Sequence, residues 1–481
     1  MFFKSNTSKL LHSKGFFLVL VLVLGAIFFA ITSAFIGYIV TQSQIVNQRY
    51  LLDQSSDIAE AGLNYYKWYL AHYPNDVTNG TGLPGPYVQT YSDPEGGAIG
   101  EFSLAIASTT YCGDVASIEV SSTGYTYEDP TLSRTITARY SQPTVAEYAF
   151  IINSNVWAGS DRTIVGPYHS NQGIRMDGTN QSTVTSGLSD WTCTSSFGCS
   201  PNSTEDGVFT TTANANDQLF SFPSTPINFT DLTIDLAQMK DRAENSTGIS
   251  IPSSGSYGYQ VVFNGNGTVT FRPVTNTYSY SAQDNTGSIT ERNIIRSLGG
   301  STTYTIDDNC PLLFVEDKLW LSGVLDQRVT IAAATLSGGS DPDIVLQGNI
   351  TYVDPDNDGL LAIAENDVLL GVDVPDNMLV NGIFVAQNGR YGRNHYTWSG
   401  LPDPWGSLNF KPYYERNSLT MNGTIVSNGR VGTQWTYGGG GFASGFHSRT
   451  NTYDRNLVEN PPPLVPNTSD VYEFTEWREE D

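Results

Sequence analysis

GFFLVLVLVLGAIFFAITSAFIGYIV, residues 15–40, carries no charged side chain, and none occurs between Lys14 and Arg49. At about 1.5 Å per residue, roughly 20 apolar helical residues cross the hydrocarbon of a bilayer, so this run is long enough with some tilt. A single segment satisfies its backbone polar groups in lipid only by being helical. Lys4, Lys9 and Lys14 precede the run, and the next basic residue is Arg49. That asymmetry keeps residues 1–15 in the cytoplasm and sends the rest outward. The rival is a cleaved secretory signal, whose apolar core usually has only about 7–15 residues followed by an A-x-A-like site. No such site follows here. The expectation is a retained single-pass anchor in the cytoplasmic (inner) membrane, with the C-terminal head outside.

Beyond the anchor, short β-branched and aromatic runs alternate with Gly, Asn, Asp and Ser clusters, the texture of an all-β secreted protein. Lys and Arg number 24 against 48 Asp and Glu, a formal charge of −24. A field of that sign repels phosphate backbones, and no basic stripe offsets it, so no nucleic-acid partner is expected. Cys193 and Cys199, in WTCTSSFGCS, are close enough to bridge a small surface loop in an oxidising compartment. Cys112 and Cys310 lie far apart, and sequence offers no rule for pairing them. No C-x-x-C or zinc-ligand spacing occurs, which points to structural thiols or bridges.

The helical pattern continues past the membrane. From Thr41 it turns amphipathic: Leu51, Ile58, Gly62, Tyr65 or Tyr66, and Tyr69 recur at helical spacing, with Asp53, Asp57, Glu60 and Lys67 elsewhere. Tyr73-Pro74 ends it, because a residue before proline is pushed out of the α region. One helix from about Lys14 to His72 follows, roughly 85–90 Å long. Its second half needs a sheet to lie on. The aromatic cluster from Tyr65 to Tyr73 is too far past Val40 for a membrane belt and reads as packing. Phe102, Leu104 and Ile106 alternate with polar residues, as do Ile118 and Val120, then Ile136, Ala138 and Tyr140. They predict a small antiparallel sheet over 98–142, with a boundary at Gln142-Pro143.

The basic leader ending in Lys14-Gly15, the long apolar helix, QSSDIAEAGLNYYKWYL (54–70) and the small sheet resemble a type IV pilin. The resemblance covers about the first 140 residues and is nearest to minor pilins of the PilX type and type II secretion pseudopilins. It implies cleavage by a leader peptidase between Gly15 and Phe16, and other pilin subunits as partners of the helix, beside the lipid bilayer. Most pilins carry Glu as the fifth mature residue, which pairs with a neighbour's terminal amine. Here that position is Leu20. A carboxylate in the bilayer rewards assembly beside a partner, and Leu20 gives no such reward. The departure suits a tip or initiating minor subunit, and also leaves room for an uncleaved anchor.

Beyond Pro143 a larger head begins, with an internal motif. LWLSGVL (319–325), IVLQGNI (344–350), MLVNGIF (378–384) and LTMNGTI (419–425) share it, and IRMDGTN (174–180) fits less completely. Short polar turns also recur: HSNQGI (169–174), FVEDKL (314–319), IAENDV (363–368), VAQNGRY (385–391) and VSNGRV (426–431). Stacked rungs explain both, with alternate residues inward and Asn or Gly at the corner. The alternative is a β-sandwich whose turns share Asn-Gly chemistry. The expected fold class is thus mostly β with one long N-terminal α-helix: a pilin-like domain (16–142, helix 16–72), then a parallel β-solenoid-like head (143–466). An insertion is expected at about 200–310, where VVFNGNGTVTF (261–271) signals a hairpin and residues 235–243 a short helix. PPPLVP (461–466) is expected to strap along the head, with Trp477 docking the acidic tail 467–481.

DPDNDGLLAIAE (354–365) fits the calcium-loop pattern D-x-[DN]-x-[DN]-G-x5-E. Asp354, Asp356 and Asp358 would supply side-chain oxygens, Leu360 its carbonyl and Glu365 a bidentate carboxylate to Ca2+. The flanks read as strands rather than paired helices, so an acidic turn between rungs competes. Catalytic patterns are lacking: the five histidines show no metal spacing, and there is no G-x-S-x-G, H-E-x-x-H or phosphate loop. His169 is expected at a rung turn. In NGRYGRNHY (388–396), arginines balancing nearby carboxylates compete with a ligand patch. The functional expectation is a structural, non-enzymatic minor pilin-like protein of a type IV pilus or pseudopilus, its head exposed for adhesion to a surface or glycan ligand. The alternatives are an anchored β-helix carbohydrate-active enzyme, by fold analogy alone, and an uncleaved single-pass surface protein.

Overall fold

A computed structural model of the protein describes residues 14–73, 76–94, 96–229, 236–336, 338–339, 341–403, 409–437, 441–469 and 472–480. The expected leader up to residue 13, with Lys4, Lys9 and His12, lies outside them, as do Pro74 and Asp235. The architecture is mostly β, with one long N-terminal helix, a small sheet and a β-rich head. The chain divides into two compact units: Met1–Ile106 with Val120–Ala138 and Trp477–Asp481, and Ala107–Glu119 with Arg139–Glu476.

In the first unit, helix α1 spans Lys14–His72, 59 residues without a break. Residues Leu51, Ser55, Ile58, Ala59, Gly62, Leu63, Tyr66, Tyr69 and Leu70 are buried, a stripe at three- and four-residue steps. Strands β1 (Tyr87–Ser92), β2 (Ala98–Tyr111), β3 (Asp114–Thr126) and β4 (Ser133–Ser141) form a sheet in that order, with β1 antiparallel to β2. Phe102, Leu104, Val120, Ile136 and Ala138 are buried, as their alternation predicts. Small residues let the two layers close up: a Cβ on Gly124 would stand 2.2 Å from the Ser55 carbonyl oxygen and 2.5 Å from the Ala59 nitrogen. The fifth strand of this sheet, beside β4, is the C-terminal segment Glu473–Glu480. It was expected as an acidic tail. Charges on an edge strand discourage further pairing, which is why this strand reads as solvated chain. Trp477 does not dock, and is 52% exposed.

Past α1 the chain turns around one carboxylate. Asp76 accepts hydrogen bonds from the Thr78 amide at 2.7 Å, the Thr78 hydroxyl at 2.5 Å, the Gly80 amide at 3.1 Å and the Tyr69 hydroxyl at 2.5 Å. The Thr78 hydroxyl, then Tyr69, hold its pKa down, from 3.8 to about 2. The same bond pushes the Tyr69 phenol up to about 12. A carboxyl depressed on folding contributes stability above its unfolded value and loses it as pH falls through the folded one. Protection of the Thr78 and Gly80 amides, relative to their intrinsic exchange rates, is therefore expected to fall between about pH 4 and about pH 2, and to be low throughout in Asp76→Asn. Protection unchanged by either would show that the loop does not depend on this charge.

The second unit holds a parallel solenoid. One wall stacks Ile249–Ile251, Leu312–Val315, Arg328–Ala333, Gly359–Ala364, the end of Asn377–Ala386, the end of Glu415–Ser427, then Phe150–Ile152, Tyr168–Ser170, Val184–Ser186 and Phe220–Ser221. The chain thus enters in the middle of the stack. Its first rungs grow one way; it then crosses to the far end, and the last rungs close back onto the first. Segment 200–310 is therefore more than an insertion, since it contributes the end strands Phe220–Ser221 and Ile249–Ile251. Its hairpin Tyr259–Asn264 and Thr268–Gln283 lies beside Leu319–Leu325. The antiparallel strands covering Tyr259–Asn264 keep that flank from presenting an open edge.

This wall is apolar on both sides, giving unbroken runs such as LLFV and GLLAIA. Leu313, Val315, Ile331, Ala362 and Phe384 face the interior core. Leu312, Phe314, Ala332, Leu361 and Ile363 face outward, under α2 (Leu236–Asn245) and α3 (Arg455–Glu459). The expected strap is present: Pro461, Pro462 and Pro463 are buried, and the Thr330 hydroxyl donates to the Pro463 carbonyl at 2.5 Å. At one corner asparagines stack across the junction of last and first rungs. Asn153 Nδ2 donates to Asn428 Oδ1, and Asn153 Oδ1 accepts from Asn171 Nδ2, both at 2.9 Å.

Candidate functional site

The exposed surface of α1 is the most distinctive chemical feature. Between Phe17 and Val46 its large apolar side chains are uncovered, with Phe17 at 70% and Phe29 at 74% exposure. Both threonines there turn their hydroxyls onto the helix: Thr32 donates to the Phe28 carbonyl at 2.7 Å and Thr41 to the Gly37 carbonyl at 3.0 Å. Such back-bonding satisfies these two hydroxyl protons without water. Leu20 sits on this bare surface as an apolar side chain. Gly15 and Phe16, the expected cleavage pair, lie in the first turn of the helix. The helix is long and apolar enough to cross a membrane.

The expected calcium ligands do not all converge. Asp354, Asp356 and Asp358 share one turn, closed by the Asp354 amide donating to Asp358 Oδ2 at 2.7 Å and by Asn357 donating to Asp354 Oδ2 at 2.8 Å. Leu360 is the second residue of the strand Gly359–Ala364, its amide donating to the Tyr352 hydroxyl oxygen at 3.1 Å. Glu365 lies past the other end of that strand, about 20 Å away at extended-chain spacing, and accepts from the Thr335 amide at 2.7 Å. Among the described residues no group of three or more His, Cys, Asp or Glu has metal-holding geometry. A cleft of about 210 Å³ opens beside the turn, lined by Asp308, Asp326, Arg328 and Asp358 among others. Burial, helped by the charges of Asp326 and Asp354, lifts the Asp358 carboxyl above its ordinary value.

Both cysteine pairs are bonded. Cys193–Cys199 closes the small loop, and Cys112–Cys310 joins the β2–β3 turn to the segment before Leu312–Val315. His169, expected at a rung turn, lies instead in the middle of the strand Tyr168–Ser170, in register with Ile151 and Thr185; its Nδ1 is 2.8 Å from Thr185 Oγ1 and its Nε2 2.9 Å from Asn171 Oδ1, and burial lowers its pKa. Among the described residues, no carboxylate forms a direct ion pair with the arginines of NGRYGRNHY. Arg393 is fully buried and donates to the Gly371, Val372 and Tyr413 carbonyls, while Arg390 donates to the Asn394 side chain. Nearby is a buried carboxylate that sequence reading missed. Glu291 accepts from Tyr280 at 2.7 Å, Tyr396 at 2.9 Å, Asn293 at 2.7 Å and Asn394 at 2.8 Å. Burial raises both phenols well above their ordinary value. With four donors on it, this carboxylate locks distant segments together.

No family model matches the chain, and no curated protein matches it. Among solved structures, the competence-associated pilin ComZ from Thermus thermophilus is similar over 89% of this chain and 97% of that one, at 14% identity and a TM-score of 0.28. A likeness at that level fixes neither fold nor function.

Proposed function

We propose that the protein is a membrane-anchored, pilin-like minor subunit of a type IV pilus or secretion pseudopilus, its helix bundled with other pilin subunits and its solenoid head carried outside the cell. The observation behind this reading is the division of labour within one unbroken helix. The stripe from Leu51 to Leu70 is the buried spine of the small sheet, while the large apolar side chains of residues 17–46 are left uncovered by the described residues. Apolar surface on that scale is stable only in lipid or against other apolar helices. The role is mechanical, and the head supplies contact area. Calcium binding in the head belongs to the same reading only as a weak site at the Asp354 turn, without Glu365.

Mass spectrometry of the N-terminus from the membrane fraction tests this directly. A mature chain starting at Phe16, retained in membranes after alkaline carbonate washing, is the expected result. An intact Met1 would exclude leader processing, and a cut beyond Val40 would exclude the anchor. The substitution Leu24→Arg places a charge near the middle of the run, where insertion costs about 2.5–3.5 kcal/mol more, and is expected to reduce the membrane-bound fraction.

A further inference from the structure

The Arg162 guanidinium is shut inside the solenoid. Arg162 opens the strand Arg162–Val165, which pairs in parallel with Phe442–Thr452, and only 4% of the residue is exposed. Its Cζ lies 5.5 Å from the centre of the Phe150 ring, and the Tyr168 ring packs on that same ring at 4.7 Å. Arg162 Nη2 donates to Thr433 Oγ1 at 3.2 Å. Thr433 follows Gly432, which bridges to Gly392, the residue after Tyr391. Phe150, Tyr168 and Tyr391 all belong to the interior core. Three polar atoms of this group, Arg162 Nε and the Tyr168 and Tyr391 hydroxyl oxygens, are buried without a hydrogen-bond partner among the described residues.

The charge on Arg162 is also unanswered. Asp161, its neighbour in sequence, is taken by Arg449, whose Nε and Nη2 donate to its two oxygens at 2.7 and 2.6 Å. That pair is neutral, which leaves Arg162 as a surplus cation. Burial, then the Arg449 charge, lowers the Arg162 pKa from 12.5 to about 10, so the group stays charged at neutral pH. Burial raises both phenols, so each keeps its proton to donate. A buried charge and buried donors all cost free energy while unpaired. We propose that a small monovalent anion of the halide class sits here, accepting from Arg162 Nε and from the Tyr168 and Tyr391 hydroxyls. Charge selects this occupant. A water molecule would satisfy donors but leave the guanidinium uncompensated, and a dianion such as sulfate would exceed the single surplus cation. Arg162 and Tyr168 belong to the first rungs and Tyr391 to a later one, so the ion ties the start of the solenoid to the part that closes on it.

The site lies within the head and does not depend on the filament reading. The full-length protein in detergent is melted in sodium bromide and in sodium gluconate of equal ionic strength, beside the Tyr168→Phe/Tyr391→Phe variant. Gluconate is far bulkier than a halide, and screening of surface charge is the same in both salts. Bromide is expected to raise the melting temperature of the wild-type head by about 3 °C or more, because it binds the folded state alone. The variant keeps both rings and loses only two donors, and a cooperative transition in gluconate shows that it is folded. Its bromide shift is expected to fall to about half of the wild-type value or less. No bromide-specific shift in the wild type, or an equal shift in the variant, overturns the proposal and leaves water as the occupant.

Discussion

Gly423→Val is expected to destabilise the head by about 4 kcal/mol, the sum of a backbone conformation that side chains resist and a direct overlap. Gly423 has φ +134°, and a Cβ there would stand 2.0 Å from the Gly382 carbonyl oxygen in the adjacent rung. Gly382, its in-register partner, has φ +139°. Neither rung can give way without breaking the ladder between Asn377–Ala386 and Glu415–Ser427. Gly348 is the internal control. It holds the same place in the motif, yet its φ lies outside the left-handed range, and a Cβ there would meet the Ser322 Cβ at 3.2 Å. Gly348→Ala should therefore cost under about 1 kcal/mol. Urea midpoints of the two variants check this; equal losses would show that the motif glycine is tolerated for reasons unrelated to its conformation.

Removing the Cys112–Cys310 bridge, as Cys112→Ser/Cys310→Ser, is expected to cost more than removing Cys193–Cys199. The first closes a loop of sequence separation 198 and the second one of only 6. On the chain-entropy relation, these correspond to about 5 and about 2 kcal/mol of unfolded-state restriction at 25 °C. The same ordering should appear in denaturant midpoints of the two double variants. A reversed order would place the contribution of the bridges in the native state instead.

How much was legible in the sequence follows from the length of each signal. α1 was readable end to end because its apolar run, its stripe from Leu51 to Tyr69 and the Tyr73-Pro74 stop all act locally. The longer rungs were readable because seven-residue motifs repeat their inward alternation. The entry point of the chain was not, since Phe150–Ile152 and Tyr168–Ser170 are too short for any period to show. The calcium pattern misled for a geometric reason. Its spacing places Glu365 near the turn only if LLAIA coils, whereas in an extended strand each residue advances about 3.3 Å. The Cys112 pairing and the Glu291 cluster join side chains far apart in sequence, and no local pattern encodes either.

The solenoid lies, in sequence, between β4 and Glu473–Glu480, which are neighbours in the small sheet. A ribosome therefore completes the whole head before it releases the residues that finish the sheet. During that interval β4 keeps a bare flank, open to any other nascent chain nearby. A chain interrupted before Glu473 would thus keep the head yet leave the sheet lacking a strand.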